Sequence, residues 1–329
     1  MTAKKGASYL HQSQREDIHQ LSQSWLWRSE LPTWLLLPII YGGWFVTLAY
    51  WKALGLLPAT LLLLWFTTWY MSLQHELIHG HPTRSPRFNQ LLGLMPLAIW
   101  YPFGLYRDAH LQHHREQYLT HPDEDPETYY FSDERWQRFP RWQQRIITIR
   151  NTLPGRVILG PTFDIVQTLG TMVVAFRQRD RRAIIMWLIH GALLLLVLQW
   201  IHHCDFSVCY FLLAVSYPAL SLTKIRSFLE HRAADDPQAR SVITEASWPW
   251  RLLFLNLNYH AVHHNLPGVP WFALRKVYLR YREEYLQLNQ RFVAHGYREW
   301  LRRFLFTPVD VKIHPMTLRA QKAVDADEN

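Results

Sequence analysis

Cysteine is nearly missing: Cys204 and Cys209 are the only two in 329 residues. Two thiols exclude a disulfide framework, a cysteine-ligated zinc site and an iron–sulfur cluster. Glycine is scarce, at 13 residues, and no repeat or low-complexity tract interrupts the chain, which argues against a solenoid or a disordered protein. The start, MTAKKGASYLHQSQRED, lacks an apolar stretch and does not read as a signal peptide. Charge is what four other stretches lack. Residues 34–51, 56–73, 183–201 and 206–223 are each 18 or 19 long without one Asp, Glu, Lys or Arg. Helices of about 20 residues cross the hydrocarbon core of a bilayer, so all four can span it.

The connectors 52–55 and 202–205 have four residues each, so each pair of blocks is a hairpin that leaves the membrane where it entered. The N-terminus, the stretch 74–182 and everything from Lys224 onward then share one face. Of 35 Lys and Arg residues only Lys52 lies opposite, which leaves 34 on that face and makes it cytoplasmic. The net charge of +9 belongs beside anionic headgroups, and no motif points to nucleic acid. Residues 91–106, apolar but broken by Gly93, Pro96, Pro102 and Gly104, are expected to dip into the interface and return. Residues 157–176, carrying Asp164 and Gln167, are expected to form a surface helix.

Histidine is the residue in excess, at 18. His75 and His79 end the second block in HELIHGH, and on a continuing helix they share one face. HLQHH supplies His110, His113 and His114, and HAVHH supplies His260, His263 and His264, both stacked along a helical stripe. Random placement yields H-x-x-H-H roughly 0.05 times per chain, so two copies on one face are a strong signal. Neutral imidazole suits zinc, copper, iron or nickel. Eight histidines exceed the needs of one zinc, whereas a two-metal centre uses them all. The expected fold is an all-α integral membrane protein of four transmembrane helices in two hairpins, with a helical cytoplasmic cap carrying this di-metal site. It is one domain, 1–329, with a core at about 34–275, a cytoplasmic segment 1–33 and a tail 276–329.

HELIHGH, HLQHH and HAVHH resemble the three histidine boxes of the membrane fatty acid desaturase superfamily, which also contains hydroxylases and ketolases of lipids, alkanes and carotenoids. RSFLEHRA (226–233) and NYHAVHHNLPGVPW (258–271) are similar to bacterial acyl-lipid desaturases, and the resemblance covers roughly residues 35–275. It implies a ninth histidine after the fourth span, matched by His231, so that the ligands are His75, His79, His110, His113, His114, His231, His260, His263 and His264. It further implies two iron ions (Fe2+), O2, a long-chain lipid substrate and an enzyme that places a double bond in an alkyl chain. The setting is a bacterial inner membrane with the site on the cytoplasmic side. An external electron donor, such as an acidic ferredoxin, suits a basic face.

Several neighbours have weaker claims. His81 leaves the helical face of His79 and reads as structural or supporting. Glu76 reads as orienting a ligand, and Asn256, one turn before His260, stands outside the ligand set, with water as its one route to the metal. Some relatives carry Asn four residues before the His231-like position, where this chain has Ser227. HPDEDPE (121–127) reads as a solvated acidic loop, and His190 as a helix contact within a span. His202 and His203 lie on the opposite side. HELIHGHPTRSPRFN and the DPE after the second box also resemble carotenoid ketolases, so a lipid, alkane or carotenoid hydroxylase or ketolase is the alternative reading. HELIH matches the H-E-x-x-H of zinc proteases, but a membrane metalloprotease leaves both H-x-x-H-H copies unexplained. A metal transporter or store would place polar ligands within the spans, where only His190 stands.

Overall fold

The computed structural model describes residues 7–309 and 313–315. The chain is predominantly helical, and five helices are long and apolar enough to cross a membrane: Leu31–Ala49, Leu56–Ile78, Leu153–Arg177, Arg181–His203 and Val208–Leu229. Four of these overlie the uncharged blocks, each running past its block at one end or both. The Leu56–Ile78 helix runs a turn beyond the uncharged block, and that turn carries His75.

The two hairpins meet at their tips. The Trp51 indole donates to the Cys204 carbonyl at 2.8 Å, and Lys52 pairs with Asp205 at 2.6 Å. That pair is exposed and stabilises little. Below the tips, Trp44, Leu48, Leu63, Ile201, Phe211 and Val215 form a dry core, and the buried Trp44 indole finds Thr67 at 3.2 Å. The histidines of HELIH lie at the far end of the same bundle, because the helix that leaves Gly55 continues unbroken to Ile78.

The fifth long helix, Leu153–Arg177, is one more than the uncharged blocks. Asp164 interrupts its apolar run and forms an ion pair with the buried Lys224 of the Tyr217–Arg226 helix. Near its start, Arg156 stacks 3.7 Å from the Tyr129 ring. Past its end the chain turns through 178–180 into the Arg181–His203 helix, where Arg182 meets Asp108 at 2.6 Å. Asp108 belongs to the Phe103–His113 helix, which carries the second histidine motif. Both ends of the Leu153–Arg177 helix therefore adjoin elements near the histidines. Its corner with the Arg141–Arg150 helix requires Gly155, where an added Cβ would lie 1.9 Å from the Ile149 carbonyl oxygen. Backbone cannot yield as a side chain can, so Gly155→Ala is expected to cost about 3 kcal/mol. A lowered unfolding temperature in detergent checks this.

The stretch expected to dip and return does leave helical structure after the Pro86–Gly93 helix, and it is mostly buried through 102. Its carbonyls need partners away from water, and neighbouring helices supply them. Tyr41 donates to Leu92 at 2.5 Å and Tyr70 to Gly93 at 2.8 Å. Ser216 donates to Ala98 at 3.0 Å and His190 to Ile99 at 2.8 Å. His190 therefore serves the returning backbone rather than another helix.

Packed cores also form among residues beyond 240. Tyr278, Tyr285, Tyr297 and Trp300 are buried, although all follow residue 275. A short parallel pairing joins Ile243–Thr244 to Val293–Ala294, a small exception to an all-helical chain. The Gln12–Ser22 helix docks beside it, with Gln14 bonded to Tyr285 at 3.0 Å. Residues 310–312 and 316–329 of the expected tail, and 1–6 of the expected N-terminal segment, lie outside the described residues.

Candidate metal centre

Four separate elements deliver the nine histidines. The Leu56–Ile78 helix carries His75 and is capped by His79, and the Phe103–His113 helix carries His110 and His113, with His114 at its C-cap. The short His260–Asn265 helix presents His260, His263 and His264. His231 follows the tight turn Ser227–Leu229. The i, i+3, i+4 spacing places rings on one face of each helix, and the fold turns those faces toward each other.

They form two groups. His75, His79, His110, His114 and His263 are one, and His113, His231, His260 and His264 the other. Within each group the ligand atoms all lie within 4.8 Å of one another. In the first, His110 Nε2 lies 3.0 Å from His79 Nε2 and 3.1 Å from His114 Nε2, and His263 Nε2 is 3.1 Å from His114. In the second, His231 Nε2 is 3.1 Å from His113 Nε2 and 2.9 Å from His260 Nε2. HLQHH and HAVHH each contribute to both groups, so adjacent residues such as His113 and His114 part company. All nine candidate ligands of the sequence are brought together.

The donors fit cations. His75 is 2% exposed, and neither of its ring nitrogens has a hydrogen-bond partner. A buried imidazole without a partner is costly, and a bound cation would satisfy it. Burial, reinforced by neighbouring histidines, pushes the pKa of His114, His231, His260 and His264 well below the ordinary imidazole value. Their rings are neutral and keep a lone pair for a metal.

Around the rings, hydrogen bonds fix which nitrogen faces inward. His113 Nδ1 donates to Asp125 at 2.8 Å and His110 Nδ1 to Glu127 at 2.9 Å, while Ser241 Oγ lies 3.2 Å from His231 Nδ1. Each leaves Nε2 directed into its group, the arrangement in which outer groups orient metal-ligating histidines. At His113, burial opposes protonation, but the Glu127 and Asp125 carboxylates outweigh it and raise the pKa to about 9.

Asp125 and Glu127 are where sequence reasoning fell short. The acidic loop is not wholly solvated: Asp125 is 5% exposed and Glu127 lies against His110. The available signal was the pairing of two carboxylates two residues apart with two histidines three apart.

Other candidates stand aside. His81 Nδ1 is bound to Glu30 at 2.6 Å, and His81 belongs to neither group. Glu76 lies 3.8 Å from His75 Nδ1, beyond a hydrogen bond, and instead accepts the Trp271 backbone N–H at 3.0 Å. It ties the loop after the third motif to the second long helix and does not orient His75. Asn256 donates to the Trp271 carbonyl at 2.9 Å, holding the same loop.

Long apolar helices together with two clusters of histidines that could hold metal ions are the marks of a membrane-type protein with candidate metal sites. The model of the family described as fatty acid desaturase matches residues 51–296, and the chain belongs to that family. Membership makes it an oxidoreductase of the desaturase or hydroxylase type, acting on lipid with O2, in a family that typically depends on metal. No curated protein matches the chain.

Proposed function

We propose that this protein is an O2-dependent fatty acyl desaturase that holds two iron ions through His75, His79, His110, His114 and His263 at one position and His113, His231, His260 and His264 at the other. The carrying observation is the convergence of nine buried or half-buried histidines into two groups, with His75 left without a hydrogen bond. Two irons, supplied with O2 and two electrons, provide the oxidising power to take two hydrogens from neighbouring carbons. O2, two electrons, two protons and the two hydrogens taken from the substrate would leave as two waters while a C=C bond forms.

The chain's own residues prepare the site. Asp125 and Glu127 accept from Nδ1 of His113 and His110, which directs each Nε2 into its group, and Glu76 pins the loop that begins at Leu266. An open apolar groove of about 480 Å³ between the Leu31–Ala49 helix and residues 91–95, lined by Leu37, Tyr41, Leu92 and Met95, suits a hydrocarbon chain. With two cysteines the chain holds no iron–sulfur cluster, so electrons come from a separate carrier, and the basic face suits an acidic one.

In this reading the membrane is crossed four times, and the Leu153–Arg177 helix lies along the histidine-bearing side. The joined hairpin tips and the two ends of that helix support this arrangement. The excess of Lys and Arg makes that side cytoplasmic.

Metal analysis of detergent-purified protein tests the proposal, with lipid analysis of expressing cells. About two irons per chain and new unsaturated acyl chains are expected. One zinc and no iron would sink the reading, and hydroxy or keto products would move it to the sister reactions.

A further inference from the structure

We infer that His314 is a positioning residue for the second histidine group, seating the loop that stands behind His113 and His231. This rests on the di-metal reading above. Residues 313–315 lie along the loop that follows the second motif. Ile313 pairs with Phe131 in a parallel bridge, and His314 N donates to the Phe131 carbonyl at 2.9 Å. His314 is 1% exposed, and its Nε2 shares a hydrogen bond with Thr120 Oγ1 at 3.1 Å. Burial, with His121 and Arg240 nearby, pushes its pKa down to about 4, so the ring is neutral.

Thr120 carries the argument. It is β-branched yet has a φ of +72°, in the left-handed region that such residues avoid. A residue strained in this way persists only where its surroundings fix it from several sides. Each polar group of Thr120 is engaged: its N–H donates to Asp125 at 2.8 Å, its carbonyl accepts from Thr128 Oγ1 at 2.8 Å, and its hydroxyl meets His314. Asp125 in turn accepts from His113 Nδ1 at 2.8 Å, so an unbroken line of hydrogen bonds runs from His314 to a candidate ligand. A second route passes through Tyr130. Its ring meets the His314 ring edge-on with centroids 5.1 Å apart, and its hydroxyl accepts at 3.0 Å from the backbone N–H of Ala233, which closely follows His231. Both routes end at members of the second group. In the first group His110 meets the same loop through the longer side chain of Glu127, so the ion there should feel the loop less.

The competing role for His314 is general stability, and metal release separates the two. Full-length wild type, His314→Ala, His314→Gln and Thr120→Val would be loaded with 57Fe(II) and followed by Mössbauer spectroscopy during competition with a chelator. Wild type is expected to hold two ions. His314→Ala and Thr120→Val should each release one ion about tenfold faster or more, the same ion that His231→Ala holds poorly. The double variant should be no faster than either single one, because both break the same hydrogen bond. His314→Gln, whose amide can still meet the Thr120 hydroxyl, should return release toward the wild-type rate. Equal acceleration for both ions, or none, would overturn the inference and leave the di-metal reading intact. Fewer than two ions in wild type would overturn both. Should His314→Ala fold poorly, hydrogen exchange of metal-free Thr120→Val against metal-free wild type provides the second test. Amides of residues 118–131 are expected to exchange faster in the variant, and unchanged exchange there would overturn the inference.

Discussion

His263→Ala is expected to abolish double-bond formation, cutting product on the order of a thousandfold or more, equivalent to about 4 kcal/mol of barrier. The iron content should fall from about two per chain toward one. His263 is the only residue of the third motif in the first group, so it alone would link an ion held there to that motif's helix. Its ring centroid lies 4.6 Å from that of His75, 4.5 Å from His79 and 4.9 Å from His114. At 1% exposure it has no water to take its place cheaply. Truncation leaves a gap among buried rings, and none of the remaining four can reach across without moving a helix. Metal analysis and acyl-chain profiling on the same preparation check both parts. His81→Ala is the contrast: its ring is occupied by Glu30 outside both groups, so two irons should remain. Two irons and normal product in His263→Ala would overturn the assignment.

Asp125→Ala should also be damaging, without removing a single ligand. The carboxylate accepts three hydrogen bonds, from His113 Nδ1 at 2.8 Å, Thr120 N at 2.8 Å and Glu127 N at 2.9 Å. Two of these donors are backbone groups of the loop that passes the candidate metal centre. Removing a buried acceptor costs about 1–3 kcal/mol for each donor left without a partner, and loss of an outer-shell partner typically weakens metal binding about 10- to 100-fold. The expected result is iron lost to a chelator at least tenfold faster, together with a lower unfolding temperature. Asp125→Asn makes the test sharper. Its amide oxygen can serve His113 and Glu127, but its NH2 then faces the Thr120 N–H, donor against donor. It should retain iron better than Asp125→Ala while remaining less stable than wild type.

Much of this protein was legible in its sequence because the strongest signals are local. Uncharged runs announce spans wherever they occur, since no ordinary water-soluble surface accommodates them. The spacing in HLQHH and HAVHH is a property of the helix itself, so the rings had to share a face before any tertiary contact was known. Even His231, isolated in the chain, was found through its resemblance to a family motif, and it lies 2.9 Å from His260 between their Nε2 atoms.

What escaped depends on distance through space. Asp125 and Glu127 read as solvated because an acidic loop is usually solvated, and only the fold brings them under His113 and His110. Glu76, the center of the HExxH match, is held by a backbone N–H 195 residues away. The count of long apolar helices rose from four to five because Asp164 looked like a break, whereas its charge is met by Lys224 on a helix the local pattern does not reveal. The burial of Tyr285 and Trp300 was hidden for the same reason, since they become core residues only once partners fold over them. The sequence by itself determined the helices, their apolar faces and the histidine stripes, because covalent spacing and helical period are enough for those. Only the tertiary structure decided how nine histidines divide into five and four and which carboxylates stand behind them. Those choices depend on the relative placement of four separate elements, which no local pattern records.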